Sequence, residues 1–246
     1  MSSDGAPLRE VEMANTTRST GKSAGIVFDD CDLAKTIYWC MIGTVTNTGQ
    51  VCSSTSRILV QKGIADKFLE QFAGAFKAQG DANGQDYLKE GVHYGPLIDK
   101  LQFDRVASYI DKGKEVAKTL VGGEPYAGKG YYTAPTIFMD PPTESAIYKE
   151  EIFGPVVCVK TFETEEEAIA LANDTQYGLA GAVYTQDVNR AMRVSSKIRA
   201  GTVGVNCANI VGPQVPMGGY GISGSGRELG EYALAEYTET KSIWIK

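Results

Sequence analysis

Apolar positions along this chain alternate between two spacings, one suited to strands and one to helices. SAGIVF (23–28) is a short apolar run fit for a buried strand. From Asp32 to about Thr46 the length is helical, with Ala34, Ile37, Tyr38 and Met41 at helical spacing. SRILVQ (56–61) predicts a strand, and Ile64 to Ala78 an amphipathic helix with Phe68, Phe72 and Phe76 on one face. The Gly- and Asp-rich residues 79–97 predict a surface loop. Residues 98–118 predict a helix, followed by a strand near TLVGG; YYTAPTIFM (131–139) and VVCVKTF (156–162) read as strands. TEEEAIALAND (164–174) is a helix opened by a Thr-x-x-Glu capping box. GAVYT (181–185) and TVGVN (202–206) predict strands around a helix over Val188–Ile198, and a last helix over Arg227–Tyr237 precedes a closing strand, KSIWIK (241–246).

Strands alternating with helices predict an α/β fold, a largely parallel sheet flanked by helices. The closing strand follows a helix and is rich in β-branched and aromatic residues. It is expected either to return to its own sheet or to pair with the sheet of a partner subunit. Residues 1–20 are polar and aperiodic and read as a mobile arm ahead of one domain over 21–246.

Apolar residues make up 43% and charged residues 22% of 246, ordinary for a globular protein with a sizeable core. The net charge of −6 gives no support to nucleic-acid or anionic-membrane binding. No apolar run reaches membrane-spanning length, and the N-terminus has no secretory apolar region. Cys31, Cys40, Cys52, Cys158 and Cys207 are odd in number and show no CxxC spacing, so a reducing, cytoplasmic setting is expected. No metal-ligand spacing occurs, and the single histidine, His93, sits in a polar context that predicts no catalytic role.

Two motifs tempt and fail. Thr20-Gly-Lys-Ser23 matches the end of a phosphate-binding loop, but Thr16 stands where that motif needs glycine, and a strand-like run follows where it needs a helix. Gly219-x-Gly221-x-x-Gly224 matches a dinucleotide fingerprint, but too little chain follows for a βαβ unit.

Four segments carry candidate chemistry. Asn47 to Arg57 places Cys52 after a helix and a glycine-containing bend, where backbone N–H groups would lower the thiol pKa and face an oxyanion. Taken alone, a buried structural cysteine is the commoner reading of such a residue. Glu150-Glu151-Ile-Phe153-Gly-Pro155 sets a carboxylate beside an aromatic ring, suited to ribose hydroxyls and a flat heterocycle, or else a surface acid and a core ring. The others are Gly21-Lys22-Ser23 and the glycine-rich run from Pro216 to Gly230.

In this order and spacing, GKS, GQVC, EEIFGPV and PMGGYGISGSGRELGE resemble the aldehyde dehydrogenase superfamily, from about Gly21 to Lys246. The resemblance implies that Cys52 attacks an aldehyde, that the bound substrate is oxidised by NAD or NADP, and that water hydrolyses the resulting thioester to an acid. It implies that Glu151 holds the nicotinamide ribose, that Phe153 flanks the nicotinamide and that Glu228 joins proton relay. Val45, Thr46, Val51, Ser53 and Val211 are the candidate aldehyde pocket; no metal is implied.

The sequence also departs from the family, which is roughly twice this length. Its Rossmann-type cofactor domain and oxyanion asparagine have no counterpart here, Arg18 stands at the general-base glutamate, and Thr20 replaces the first glycine of GGK. Losing the base forfeits about 10²–10⁴ in rate, and one oxyanion donor about 10²–10³. The isolated chain is therefore expected to be a poor dehydrogenase. The competing expectation is an inactive remnant or assembly subunit, as a homo-oligomer or with a full-length relative.

Overall fold

The computed structural model describes residues 20–81, 84, 85, 88, 90, 92, 94–124 and 130–246. The expectations for residues 1–19, Arg18 among them, and for His93 lie outside the described residues. Seven strands form one sheet: β1 (Ser23–Val27), β2 (Thr55–Gln61), β3 (Lys118–Val121), β4 (Thr136–Met139), β5 (Val156–Phe162), β6 (Ala180–Tyr184) and β7 (Thr202–Val205). Their order is β3-β4-β5-β2-β1-β6-β7, and only the β3–β4 pair is antiparallel. The expected, largely parallel α/β sheet is observed.

The central strands are apolar on both faces because helices cover both. On one side Val27, Ile58, Val60, Val157 and Val159 meet Cys40 of α1 (Leu33–Val45) and Phe68, Phe72 and Phe76 of α2 (Ala65–Asp81). On the other, Ala24, Ile26 and Leu59 pack under α5 (Glu165–Asn173) and α6 (Val188–Ser195). Beside them Phe138, Val156 and Cys158 pack under α3 (Lys100–Val116) and α4 (Ala146–Lys149).

Side chains placed by the sequence start these helices. Asp32 accepts from Lys35 N, Asp99 from Gln102 N, and Asp187 from Asn189 N and Arg190 N. Thr164 accepts from Glu167 N, but the Glu167 carboxylate returns to Glu163 N, one residue before the cap. The capping box is thus shifted by one position on its return side.

Four expectations change. Strand β4 starts only at Thr136, after Pro135, which has no N–H for a ladder. The short helix α4 went unread. The last helix, α7, is confined to Ala233–Glu236, since Gly226, Leu229 and Gly230 adopt left-handed backbone that a helix excludes. Residues 241–246 form no strand and pair with no strand among the described residues; Trp244 and Ile245 are each 94% exposed.

The architecture sets one end of the central strands apart. The segments entering β1, β2 and β5 all carry motif residues: Gly21 and Lys22, Cys52, and Glu151 to Phe153. They gather at the amino ends of neighbouring parallel strands, opposite to the carboxyl-end crevice of open doubly wound sheets.

Candidate active site

The turn that presents Cys52 is built from unusual backbone. Past α1, Asn47, Thr48 and Gly49 take φ of 49°, 56° and 72°. A β-branched residue in that region is strained, and the turn holds it by over-determination. Asn47 Nδ2 donates to Gln50 O, Thr48 Oγ1 to Gly95 O, and Ile98 N to Gln50 Oε1, each within 3.1 Å. Gly49 is required here: a Cβ would lie 2.3 Å from the Gly154 carbonyl. The turn before Cys52 therefore rests directly on the Glu151–Pro155 turn.

The GKS segment reaches the same point. A Cβ on Gly21 would meet the Cys52 carbonyl oxygen at 2.3 Å, and Gly21 N donates to Glu151 Oε1 at 2.9 Å. One glycine thus touches both Cys52 and Glu151. Ser223 of the late loop donates to Thr20 O at 2.5 Å and accepts from Gly178 N, tying that loop to the same edge.

Cys52 is half-buried and opens onto a wide depression of ≈ 990 Å³ shared with Thr20, Val51, Gln102, Arg105, Glu151 and Phe153. Burial pushes the thiol pKa up, and the Glu151 and Glu228 carboxylates push the same way, against the Ser53 and Cys52 N–H groups. The amides expected to activate the thiol are present but are outweighed. Burial also raises the Glu151 carboxyl, opposed by the Gly21 N–H and by Arg105 and Lys22.

The remaining expected site residues separate. Glu228 is exposed and does not line the depression, though its charge reaches Cys52; its backbone pairs with Met217. Of the five candidate pocket residues, only Val51 shares the depression. Ser53 and Val211 line a second, apolar cavity of ≈ 280 Å³ with Cys207 and Met217, between β6–β7 and the late loop. Val45, at the end of α1, packs against the core, and Thr46 is exposed with its hydroxyl on Ile42 O. Strict neighbourhood in sequence fails here because the turn sends successive side chains to different sides.

The burial of two cations within the motif segments was not read from the sequence. Arg57 is 1% exposed and donates to the carbonyls of Lys22, Leu171 and Ala172, joining β1, β2 and the end of α5. Lys22 is equally buried, its Nζ has no hydrogen-bond partner, and burial lowers its pKa to about 8. The only signal in the sequence is that Lys22 abuts the apolar run of β1 and Arg57 sits inside that of β2. Among the described residues no cluster could hold a metal, and no helix is long and apolar enough to cross a membrane.

Comparison with known proteins adds the context. Residues 14–243 match the model of the Aldehyde dehydrogenase family, beginning within the segment read as an arm. The chain is 46% identical over 226 residues to an aldehyde dehydrogenase of Agaricus bisporus, covering 92% of this chain and 45% of that protein. It is 43% identical to the chloroplastic betaine aldehyde dehydrogenase of Atriplex hortensis, over 91% of this chain and 44% of that one. Among solved structures, the NAD+ complex of aldehyde dehydrogenase from Bacillus cereus superposes with a TM-score of 0.85 at 40% identity, over 92% of this chain and 46% of that chain. Betaine aldehyde dehydrogenase from Staphylococcus aureus with NAD+ gives 0.84 at 41% identity, over 89% and 44%. The chain spans somewhat under half the length of these relatives.

Proposed function

Because this chain belongs to the aldehyde dehydrogenase family, we propose that it carries the acyl-transfer half of an aldehyde-oxidising site, with Cys52 as nucleophile. The observation that carries the reading is that Cys52 lines one depression with Glu151 and Phe153.

In this reading the Cys52 thiolate adds to the carbonyl carbon of an aldehyde, forming a carbon–sulfur bond and an alkoxide that the Cys52 N–H faces. Oxidation leaves an acyl thioester on the same sulfur. Water cleaves it to the carboxylic acid, with Glu228 relaying a proton. The donor set fits one end of a nicotinamide dinucleotide: Glu151 accepts ribose hydroxyls, and Phe153 offers a ring to the flat heterocycle. NAD+ or NADP+, when bound, supplies the two-electron acceptor. Val51 flanks the aldehyde, while Ser53 and Val211 act from the neighbouring cavity.

Since ester cleavage needs the thiol and no acceptor, it isolates this chain's contribution. Full-length chain should hydrolyse p-nitrophenyl acetate, and Cys52→Ala should abolish the reaction. Undiminished hydrolysis by the alanine variant would remove the proposed nucleophile. Reduced nicotinamide produced from aldehydes by this chain, and lost in the same variant, would extend the reading to the whole reaction.

The reading places residues 21–246 in one catalytic unit that assembles through residues 241–246. Exposed Ile243, Trp244 and Ile245 supply an apolar segment that could add as a strand to a partner, and β3 and β7 are open sheet edges. Sedimentation of a chain ending at Thr240 should report a smaller species than the full chain. Five unbridged cysteines favour the cytoplasm.

A further inference from the structure

We infer that one face of α3, carrying Gln102, Arg105 and Tyr109, is a clamp that positions Glu151 and Phe153 by holding their backbone. The inference rests on the function proposed above for the roles of those two residues, but not for the clamp itself.

The three side chains stand at i, i+3 and i+7, one stripe of a helix. Gln102 Nε2 donates to Phe153 O at 2.6 Å and to Ile152 O at 3.2 Å. Arg105 Nη2 donates to Glu151 O at 2.6 Å, and its Nε to Ile152 O at 3.4 Å. Tyr109 OH donates to Glu150 Oε2 at 2.5 Å, and the Arg105 guanidinium lies 5.4 Å from the Tyr109 ring centre. Four consecutive residues, Glu150 to Phe153, are thus read off by a single helix.

Phe153 shows why such a grip is needed. Its φ is 61°, the left-handed region that an aromatic residue enters at a cost of about 1–3 kcal/mol. That conformation, followed by Gly154 and Pro155, turns the chain so that Glu151 and Phe153 both face the depression. The turn also lies hard against the helix: a Cβ on Gly154 would come within 2.5 Å of Val106 Cγ2. Donors on consecutive carbonyls, with no room behind, hold the strained turn in one state.

Gln102 and Arg105 also line the depression, so cofactor affinity would not separate positioning from direct contact. The Cys52 thiol does. The charged and titratable groups facing it are Glu151 and Glu228, with Arg105 and Tyr177 on the depression wall. A Glu151 carboxylate held where its charge reaches Cys52 favours the protonated thiol; one released from there lets the thiolate form at lower pH.

The experiment is the pH dependence of Cys52 alkylation by iodoacetamide in the full chain, read on the Cys52 peptide by mass spectrometry. Glu151→Gln should lower the half-reaction pH by about 0.5–1. Gln102→Met, which changes no charge, should lower it by about 0.3–0.5, roughly a two- to threefold gain in thiolate. The double variant should move no further than Glu151→Gln alone. Arg105→Lys keeps the charge on an exposed side chain and should shift in the same direction, which keeps the test alive if Gln102→Met does not fold. Wild-type titration by Gln102→Met and Arg105→Lys alongside a shifted Glu151→Gln would overturn the clamp and leave the site intact. An unshifted Glu151→Gln would overturn both.

Discussion

Replacing Lys22 with methionine should stabilise this protein, and by an amount that depends on pH. The ammonium of Lys22 is wholly buried beside the Arg57 guanidinium, and its Nζ has no hydrogen-bond partner. Its pKa falls from 10.5 to about 8, with burial the largest cause and Arg57 adding to it, against attraction from Cys158, Glu151 and Glu150. At 1.36 kcal/mol per tenfold, that fall corresponds to about 3 kcal/mol spent on keeping the amine charged inside the fold. Methionine keeps the length of the side chain without the charge. Between pH 8 and 10.5 the unfolded chain holds a proton that the folded chain has lost, so wild-type stability climbs across this window. The variant lacks the climb. Its advantage should be full below pH 8, up to about 3 kcal/mol or about 6–12 °C in Tm, and should fade as pH approaches 10.5. Urea titrations of both proteins at several pH values measure the gap directly. A methionine variant less stable at pH 7, or a gap that does not change with pH, would mean that an anion compensates the amine, and the reasoning would fail.

Other outcomes follow from the same geometry. Alkylation of Cys52 should have its midpoint above the ordinary thiol range, because burial and two carboxylates favour the neutral form; a midpoint below that range, by peptide-resolved kinetics, would contradict the described surroundings. Gly49→Ala should lose about 2–4 kcal/mol in urea unfolding and most Cys52-dependent ester cleavage, since its methyl meets the Gly154 carbonyl in a backbone region unfavourable to alanine. NAD+ at a concentration equal to its Kd should add about 0.4 kcal/mol, raising Tm by about 1–2 °C, and Glu151→Ala should remove the rise in a melting assay.

Most of the framework was legible because its signals are local. The Phe68, Phe72 and Phe76 stripe, the VVCVKTF run and the caps at Asp32 and Thr164 each encode one element without reference to the rest. The alternation of strands with helices announced a largely parallel sheet before any pairing was known. What was not legible depends on close approach between distant segments. Left-handed backbone at Leu229 and Gly230 cut short a helix that residue type alone permits. Nothing in the spacing around Cys52 indicates that Ser53 faces a different cavity from Val51, or that Glu228 stands outside the depression. Lys22 and Arg57 are charges whose burial is visible only once strands β1, β2 and β5 lie side by side. The helix face of Gln102, Arg105 and Tyr109 reads in sequence as an ordinary solvated surface.

Because Cys52 and Glu151 enter on adjacent strands, their spacing is a matter of sheet alignment. The pairing of Arg57 with Cys158 sets how far along β2 the sulfur lies relative to the turn before β5. Sliding one strand past the other by a single residue would displace Cys52 by about 3.3 Å and exchange the two faces of that strand. Such a slip would let backbone hydrogen bonds re-form in a new register yet move Cys52 away from Glu151. The acid–base behaviour of one thiol therefore serves as a ruler for correct zipping of the central strands during folding.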